Sequence, residues 1–205
     1  SNLDFKLHLV TQPHSVHLKG VYDKLKIMAL ADLSEYDKVL YLDNDIIVAG
    51  DLNPVFDAIE KPDVLYVAQL GMDGHTNEYN SCLKSPYNDT VLENLKKNEI
   101  WPFCAGHFGF IPTKKMKDHF AECYGLRDRE IVDQEQIAMN TYFCTRNILD
   151  FSLSKFIKLQ PTWTHAPFEH FIITHFIGMN IRPHVKLEIM SNYFREIVLN
   201  KTKFA

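Results

Sequence analysis

The chain has 205 residues, a formal charge of −4 and 46% hydrophobic residues. That composition suits an ordinary globular domain and excludes a wholly disordered chain. No long basic run offers a nucleic-acid surface, and no apolar stretch is long enough to span a bilayer.

Taken in chain order, FKLHLV (Phe5 to Val10) alternates and predicts a strand. YDKLKIMALADL (Tyr22 to Leu33) spaces Leu, Ile and Met at helical intervals. KVLYLD, which opens at Lys38, is a continuous apolar run, the pattern of a strand buried on both faces in a mostly parallel sheet. Asn53-Pro54 starts a short helix, PVFDAIE. DVLYVAQL (Asp63 to Leu70) is the next buried strand. Gly71 to Tyr87 is polar and rich in turn residues, and its length for a connection makes it functional or mobile. A helix is expected near Thr90 to Lys97, then a strand with two glycines, FCAGHFGFI, from Phe103 to Ile111. KKMKDHFAECY and DQEQIAMNTYF are amphipathic helices, ITHFI is a strand, and KLEIMSNYFREIVL closes the chain as a helix. Strands and helices alternate, so the expected class is α/β, with residues 1–205 as a single domain.

Cys82, Cys104, Cys123 and Cys144 are widely spaced and form no CxxC pair, so free buried thiols are expected rather than a zinc cluster or a disulfide scaffold. The opening SNLDFKLHLV carries no visible signal peptide, and a soluble domain in the cytoplasm is the expectation.

The chemistry starts at Asp43-Asn44-Asp45. On a strand, residues i and i+2 face the same side, so Asp43 and Asp45 point together and Asn44 points away. They stand where the apolar run stops, and ligands of open α/β sheets bind beyond the carboxyl ends of strands. Two hard oxygen donors there suit Mg²⁺ or Mn²⁺ carrying a diphosphate. Acids that merely cap a solvated turn are the bland alternative. Further along, His175 offers an imidazole, Gly178 a close backbone approach and Arg182 a planar fork for phosphate oxygens.

Together these motifs resemble the metal-dependent GT-A-fold glycosyltransferases, in particular glycosyltransferase family 8. YDKLKIMAL followed by YDKVLYLDNDIIVAGDL resembles that family's Lys-Leu helix, DxD strand and DL helix. FCAGHFGFI is similar to its Phe-Asn-(Ser/Ala)-Gly strand, EQIAMN to its Asp-Gln-x-x-x-Asn helix, and HFIGMNIRP to its His-Phe-x-Gly-x-x-Lys-Pro close. The resemblance implies a GT-A fold with a mostly parallel central sheet flanked by helices, minimal or N-terminally shortened. It implies transfer of a hexose-type sugar from a UDP-sugar to a glycan or glycoprotein hydroxyl, with Mn²⁺ (or Mg²⁺) as cofactor and retention of configuration. Asp43, Asp45 and His175 would hold the metal. Lys24, Asp43, Asn44, Asp45, Ala105, Gly106, Gly178 and Arg182 would bind the donor. Glu135, Gln136 and Asp133 would act at the transferring sugar, although Asp133 and Gln136 also fit a plain helix-capping pair.

The sequence departs from the family pattern in places. Cys104 stands where the family has Asn. Arg182 replaces Lys, with one extra residue after Gly178. The helix motif also fits a second register, Asp133-Gln134, and the stretch before Asp43 is short. Two other readings compete. VLYLDNDII also resembles the first motif of haloacid-dehalogenase-like phosphatases, with Asp43 as nucleophile. A GT-A-fold module that binds nucleotide sugar without catalysis is the other. The aromatic-rich PTWTHAPFEHF, from Pro161 to Phe171, suits either an acceptor platform or simple packing by Trp163 and Phe168.

Overall fold

The computed structural model describes residues 23–69, 97, 102–126, 135–161, 171–177 and 183–203. The expected strand at Phe5 to Val10 and the polar segment Gly71 to Tyr87 lie outside them, as do Trp163 and Phe168.

Helix α1 (Asp23–Leu30) turns Leu25, Met28 and Ala29 into the main core, the i, i+3, i+4 spacing of an amphipathic helix. The apolar run after it is divided. Strand β1 is Val39–Leu42 and β2 is Ile46–Val48, with Asp43, Asn44 and Asp45 in the turn between them. A short helix α2 (Asn53–Asp57), with Pro54 at its start, leads to β3 (Leu65–Gln69). Strand β4 (Phe103–Phe110) is buried throughout. Helices α3 (Lys114–Gly125) and α4 (Glu135–Arg146) follow, then β5 (Leu149–Asp150), a 3₁₀ turn at Ser152–Lys155, β6 (Ile157–Pro161), β7 (Ile173–Ile177) and α5 (Pro183–Lys203).

Two sheets form. The first has the order β1-β4-β3-β5 and the second β2-β7-β6. In the first, β1 and β3 both pair antiparallel with β4, and β5 pairs parallel with β3. Three of its four strands therefore share a direction, as expected of a mostly parallel sheet, but β4 runs against them from the middle. In the second, β6 runs parallel to β7 and β2 antiparallel to it. The expectation that KVLYLD is buried on both faces is corrected: Val39 to Leu42 are all half-buried. An edge position in the described sheet leaves them one neighbouring strand rather than two.

Side-chain alternation distributes the core. On β3, Leu65 and Val67 join α1, α3 and α4 in the main core. Tyr66 and Ala68 face a second cluster with Val55, Ile59, Leu153, Ile157 and Ile173. On β4 the alternation slips. Phe103 and Ala105 face the main core, and so do Phe108 and Phe110. Odd positions give way to even ones because the β3–β4 register is broken: Val67 faces Phe108, yet Gln69 faces Phe103. Such a bulge re-aims side chains. Here it puts Cys104 and His107, three residues apart, off the main-core side together.

The bulge is anchored from α4. The buried Asn140 side chain accepts from the Phe103 N–H at 2.8 Å and donates to the Phe103 carbonyl at 2.8 Å. Gln136, one turn earlier, accepts from the Ala105 N–H at 3.4 Å. Four-residue spacing places both amides on one helix face.

Candidate active site

The seam between the two sheets is the Asp43–Asp45 turn. The Asp43 N–H donates to the Gly106 carbonyl at 2.8 Å, extending the β1–β4 ladder by one bond. The Phe176 N–H donates to the Asp45 carbonyl at 3.0 Å, and Ile46 stands opposite His175 in the β2–β7 register. The two acids therefore leave one sheet and enter the other at consecutive steps. They do not share a strand, so the i, i+2 argument for their common direction is replaced by the turn. Their convergence is retained: one carboxylate oxygen from each and one ring nitrogen of His175 all lie within 4.8 Å of one another.

His175 owes its direction to β7. Thr174 and Phe176 face α5, where they meet Tyr193 through a 2.8 Å hydroxyl contact and an edge-on ring contact. The opposite face carries His175 into the seam. Its Nε2 stands 3.1 Å from Asp45 Oδ1 and its Nδ1 3.4 Å from Cys104 Sγ. Burial pulls the His175 imidazole down, but the contacts with Asp45 and Cys104 win and push it up to about 9. Asp45 Oδ1 still has no aligned hydrogen-bond donor among the described residues.

Cations of the chain itself hold the acids. Lys24 is 8% exposed, with Nζ 3.0 Å from Asp43 Oδ1, 3.2 Å from Glu135 Oε1 and 3.1 Å from the Ala105 carbonyl. It is a buried bridge between α1, the turn, β4 and α4, not an exposed helix lysine. Tyr41 donates to Asp43 Oδ1 at 2.7 Å, and burial together with that bond pushes its phenol far up, so it stays a donor. Lys186 of α5 closes on Asp45 Oδ2. Burial would raise the Asp45 carboxyl, but the close contacts with His175 and Lys186 hold it well below the usual range.

Of the residues expected at the site, Lys24, Asp43, Asp45, Ala105, Gly106, Glu135, Gln136 and His175 are thus linked around one seam. Asn44 is exposed at the tip of the turn. Asp133, Gly178 and Arg182 lie outside the described residues. Tyr41 and Lys186 carry no motif signal. The first sits two residues before Asp43, and the second reaches Asp45 across 141 residues of chain. His107 is missed as well. It is fully buried beside His175, ring centroids 5.4 Å apart, and neither ring nitrogen has a hydrogen-bond partner among the described residues. Burial brings its imidazole down to about 3, so it is neutral.

The donor set suits a hard divalent cation: one carboxylate oxygen from each aspartate and one imidazole, with Asp45 Oδ1 lacking a hydrogen-bond partner among the described residues. Gly106 shapes the same space. A Cβ there would lie 2.3 Å from His175 Cε1 and 2.8 Å from Asp43 Oδ2.

The sequence matches glycosyl transferase family 8 over residues 14–183. The chain belongs to glycosyltransferase family 8. The match spans most of the sequence and removes the phosphatase reading of Asp43. Among solved structures, the family-8 chain resembles the galactosyltransferase LgtC in complex with donor and acceptor sugar analogues, at 19% identity and TM-score 0.53, covering 77% of this chain and 58% of that one. It also resembles the bifunctional glycosyltransferase WbbM, at 20% identity and TM-score 0.54, covering 78% of this chain and 32% of that one. An active-site mutant of LgtC gives 18% identity and TM-score 0.52. A comparison with curated protein sequences finds no match. The shared fold is the GT-A fold, and the chain spans little more than half the length of LgtC. Among the described residues, no helix is long and apolar enough to cross a membrane.

Proposed function

We propose that this chain carries the catalytic domain of a glycosyltransferase that moves a hexose from a UDP-sugar to a hydroxyl of a glycan or glycoprotein, with retention of configuration. The observation that carries the reading is the convergence of Asp43, Asp45 and His175 within 4.8 Å at the sheet seam of a family-8 chain. These three residues would hold Mn²⁺ or Mg²⁺, which when bound neutralises charge on a departing diphosphate. The remaining work falls to the chain. Lys24 holds Asp43 and Glu135 in fixed positions. Gln136 fixes the backbone at Ala105, and Gly106 leaves open the space beside His175 and Asp43. Gly178 and Arg182 are proposed to bind donor phosphates, with Asp133 near the transferring sugar. Retention and the uridine base rest on family membership.

A thermal-shift screen of UDP-, GDP- and CMP-sugars with and without Mn²⁺ tests this. A ligand that binds only the folded state stabilises it by about 2.7 kcal/mol at a hundred times its Kd. The expected result is a UDP-sugar shift that needs Mn²⁺ and disappears in Asp45→Ala, together with metal-dependent release of UDP. Equal shifts from all three nucleotides, or a shift indifferent to metal, contradict the reading. Binding without release of sugar would make the chain a non-catalytic module.

A further inference from the structure

Behind the oxygen-rich face of His175 lies a second donor set of different chemistry. Cys104 Sγ and one ring nitrogen from each of His107 and His175 lie within 4.8 Å of one another. All three residues are buried, at 4%, 0% and 5% exposure. Two features set them apart from ordinary core packing. Neither ring nitrogen of His107 has a hydrogen-bond partner among the described residues, and an unmade hydrogen bond in the interior is costly. And the β4 bulge brings Cys104 and His107 to the same side, although three residues apart on a regular strand they would face opposite ways.

We infer that Cys104, His107 and His175 form a binding site for a soft or borderline divalent cation, Zn²⁺ or Cd²⁺, which overlaps the proposed hard-cation site of Asp43, Asp45 and His175 at the histidine alone. One sulfur and two imidazoles are the donor types such ions take, and the Cys104 thiol releases its proton to solvent on binding. His175 is the shared member. Its Nδ1 faces Cys104 at 3.4 Å and its Nε2 faces Asp45 at 3.1 Å. A neutral imidazole has one lone pair. Ligation through Nδ1 places the ring proton on Nε2 and removes the lone pair that a metal between the two aspartates would need. A soft cation therefore displaces a hard one without touching Asp43 or Asp45. This consequence rests on the proposed function; the soft-cation site itself does not.

The test titrates the full chain with Cd²⁺ and follows ultraviolet thiolate-to-cadmium charge-transfer absorption. One equivalent is expected to saturate the band. Cys104→Ser removes it and Asp43→Asn retains it. Loss of an outer-shell partner already costs metal affinity about 10- to 100-fold, so His107→Asn is expected to weaken Cd²⁺ by more than about tenfold. Circular dichroism shows whether each variant is folded. Should Cys104→Ser fail to fold, cadmium NMR of the unmutated chain decides: a resonance carrying one thiolate supports the site, and one in the oxygen-only range overturns it. A band that survives in folded Cys104→Ser, or no band at all, also overturns it. Cd²⁺ should further abolish the Mn²⁺-dependent UDP-sugar shift in the unmutated chain but not in Cys104→Ser. If the band appears while no Mn²⁺-dependent shift exists to abolish, the proposed function fails and the soft-cation site stands.

Discussion

Gly106 is the position at which the seam tolerates least. The added methyl of Gly106→Ala would sit 2.3 Å from a His175 ring that Cys104 and Asp45 already hold on both sides. Overpacking of this kind costs about 1–3 kcal/mol. The expected outcome is a loss of that size in urea denaturation, with the Mn²⁺-dependent UDP-sugar shift abolished. A variant of unchanged stability that still binds would show that His175 moves aside freely. Lys24 makes the complementary point. A lysine on an amphipathic helix reads as a solvent-facing residue, since nothing local marks it for burial. It is buried because three separate elements supply it with two carboxylates and a carbonyl. Its place beside Asp43 was legible only through the family motif, and Lys186, which belongs to no such motif, was not legible at all.

Among the elements, β4 and the helices that brace it govern the site. Asn140 ties both polar groups of Phe103 to α4. Asn140→Ala leaves a buried donor and acceptor unpaired, so a stability loss of about 2–3 kcal/mol is expected by urea denaturation, with weakened binding because Ala105 and Gly106 follow directly. A loss under about 0.5 kcal/mol would mean that water replaces the amide. Helix α3 gives a pH-dependent case. Thr113 caps it by accepting from the Met116 N–H at 3.0 Å and donates its own hydroxyl to Asp63 at 2.6 Å. That hydrogen bond, more than Lys115 nearby, holds the Asp63 carboxyl below its ordinary value of 3.8. A lowered folded-state value gives stability that is present above 3.8 and is lost as pH falls through the lowered one. Thr113→Val should therefore cost about 1 kcal/mol at neutral pH and show a shallower loss of stability in acid, read from melting temperature against pH. An equally steep acid limb would place the shift elsewhere. The periodicity of the sequence located most helices and β3, β4 and β7 within a few residues. It did not separate β1 from β2, because an apolar run interrupted by two acids reads alike whether one strand continues or two sheets meet. The short β5 and the strand β6 gave too little pattern to register.

At the scale of the whole molecule, the site exists because two sheets meet. The convergence of Asp43, Asp45 and His175 was legible from DxD and from His-Phe-x-Gly, but it comes from a turn that passes the chain between sheets and not from a shared strand face. Cys104 signalled a departure from the family pattern, but the slip in β4 that carries it beside His107 arises from pairing with β3, which no local motif encodes. The proposed function requires Asp43, Asp45 and His175 to act together on one cation. Anomalous scattering from a crystal soaked in Mn²⁺ and UDP measures this directly. The predicted result is a single manganese peak bonded at about 2.0–2.2 Å to a carboxylate oxygen of each aspartate and to His175 Nε2, with Lys186 withdrawn from Asp45. A fully occupied manganese peak that leaves His175 or either aspartate unligated would contradict it.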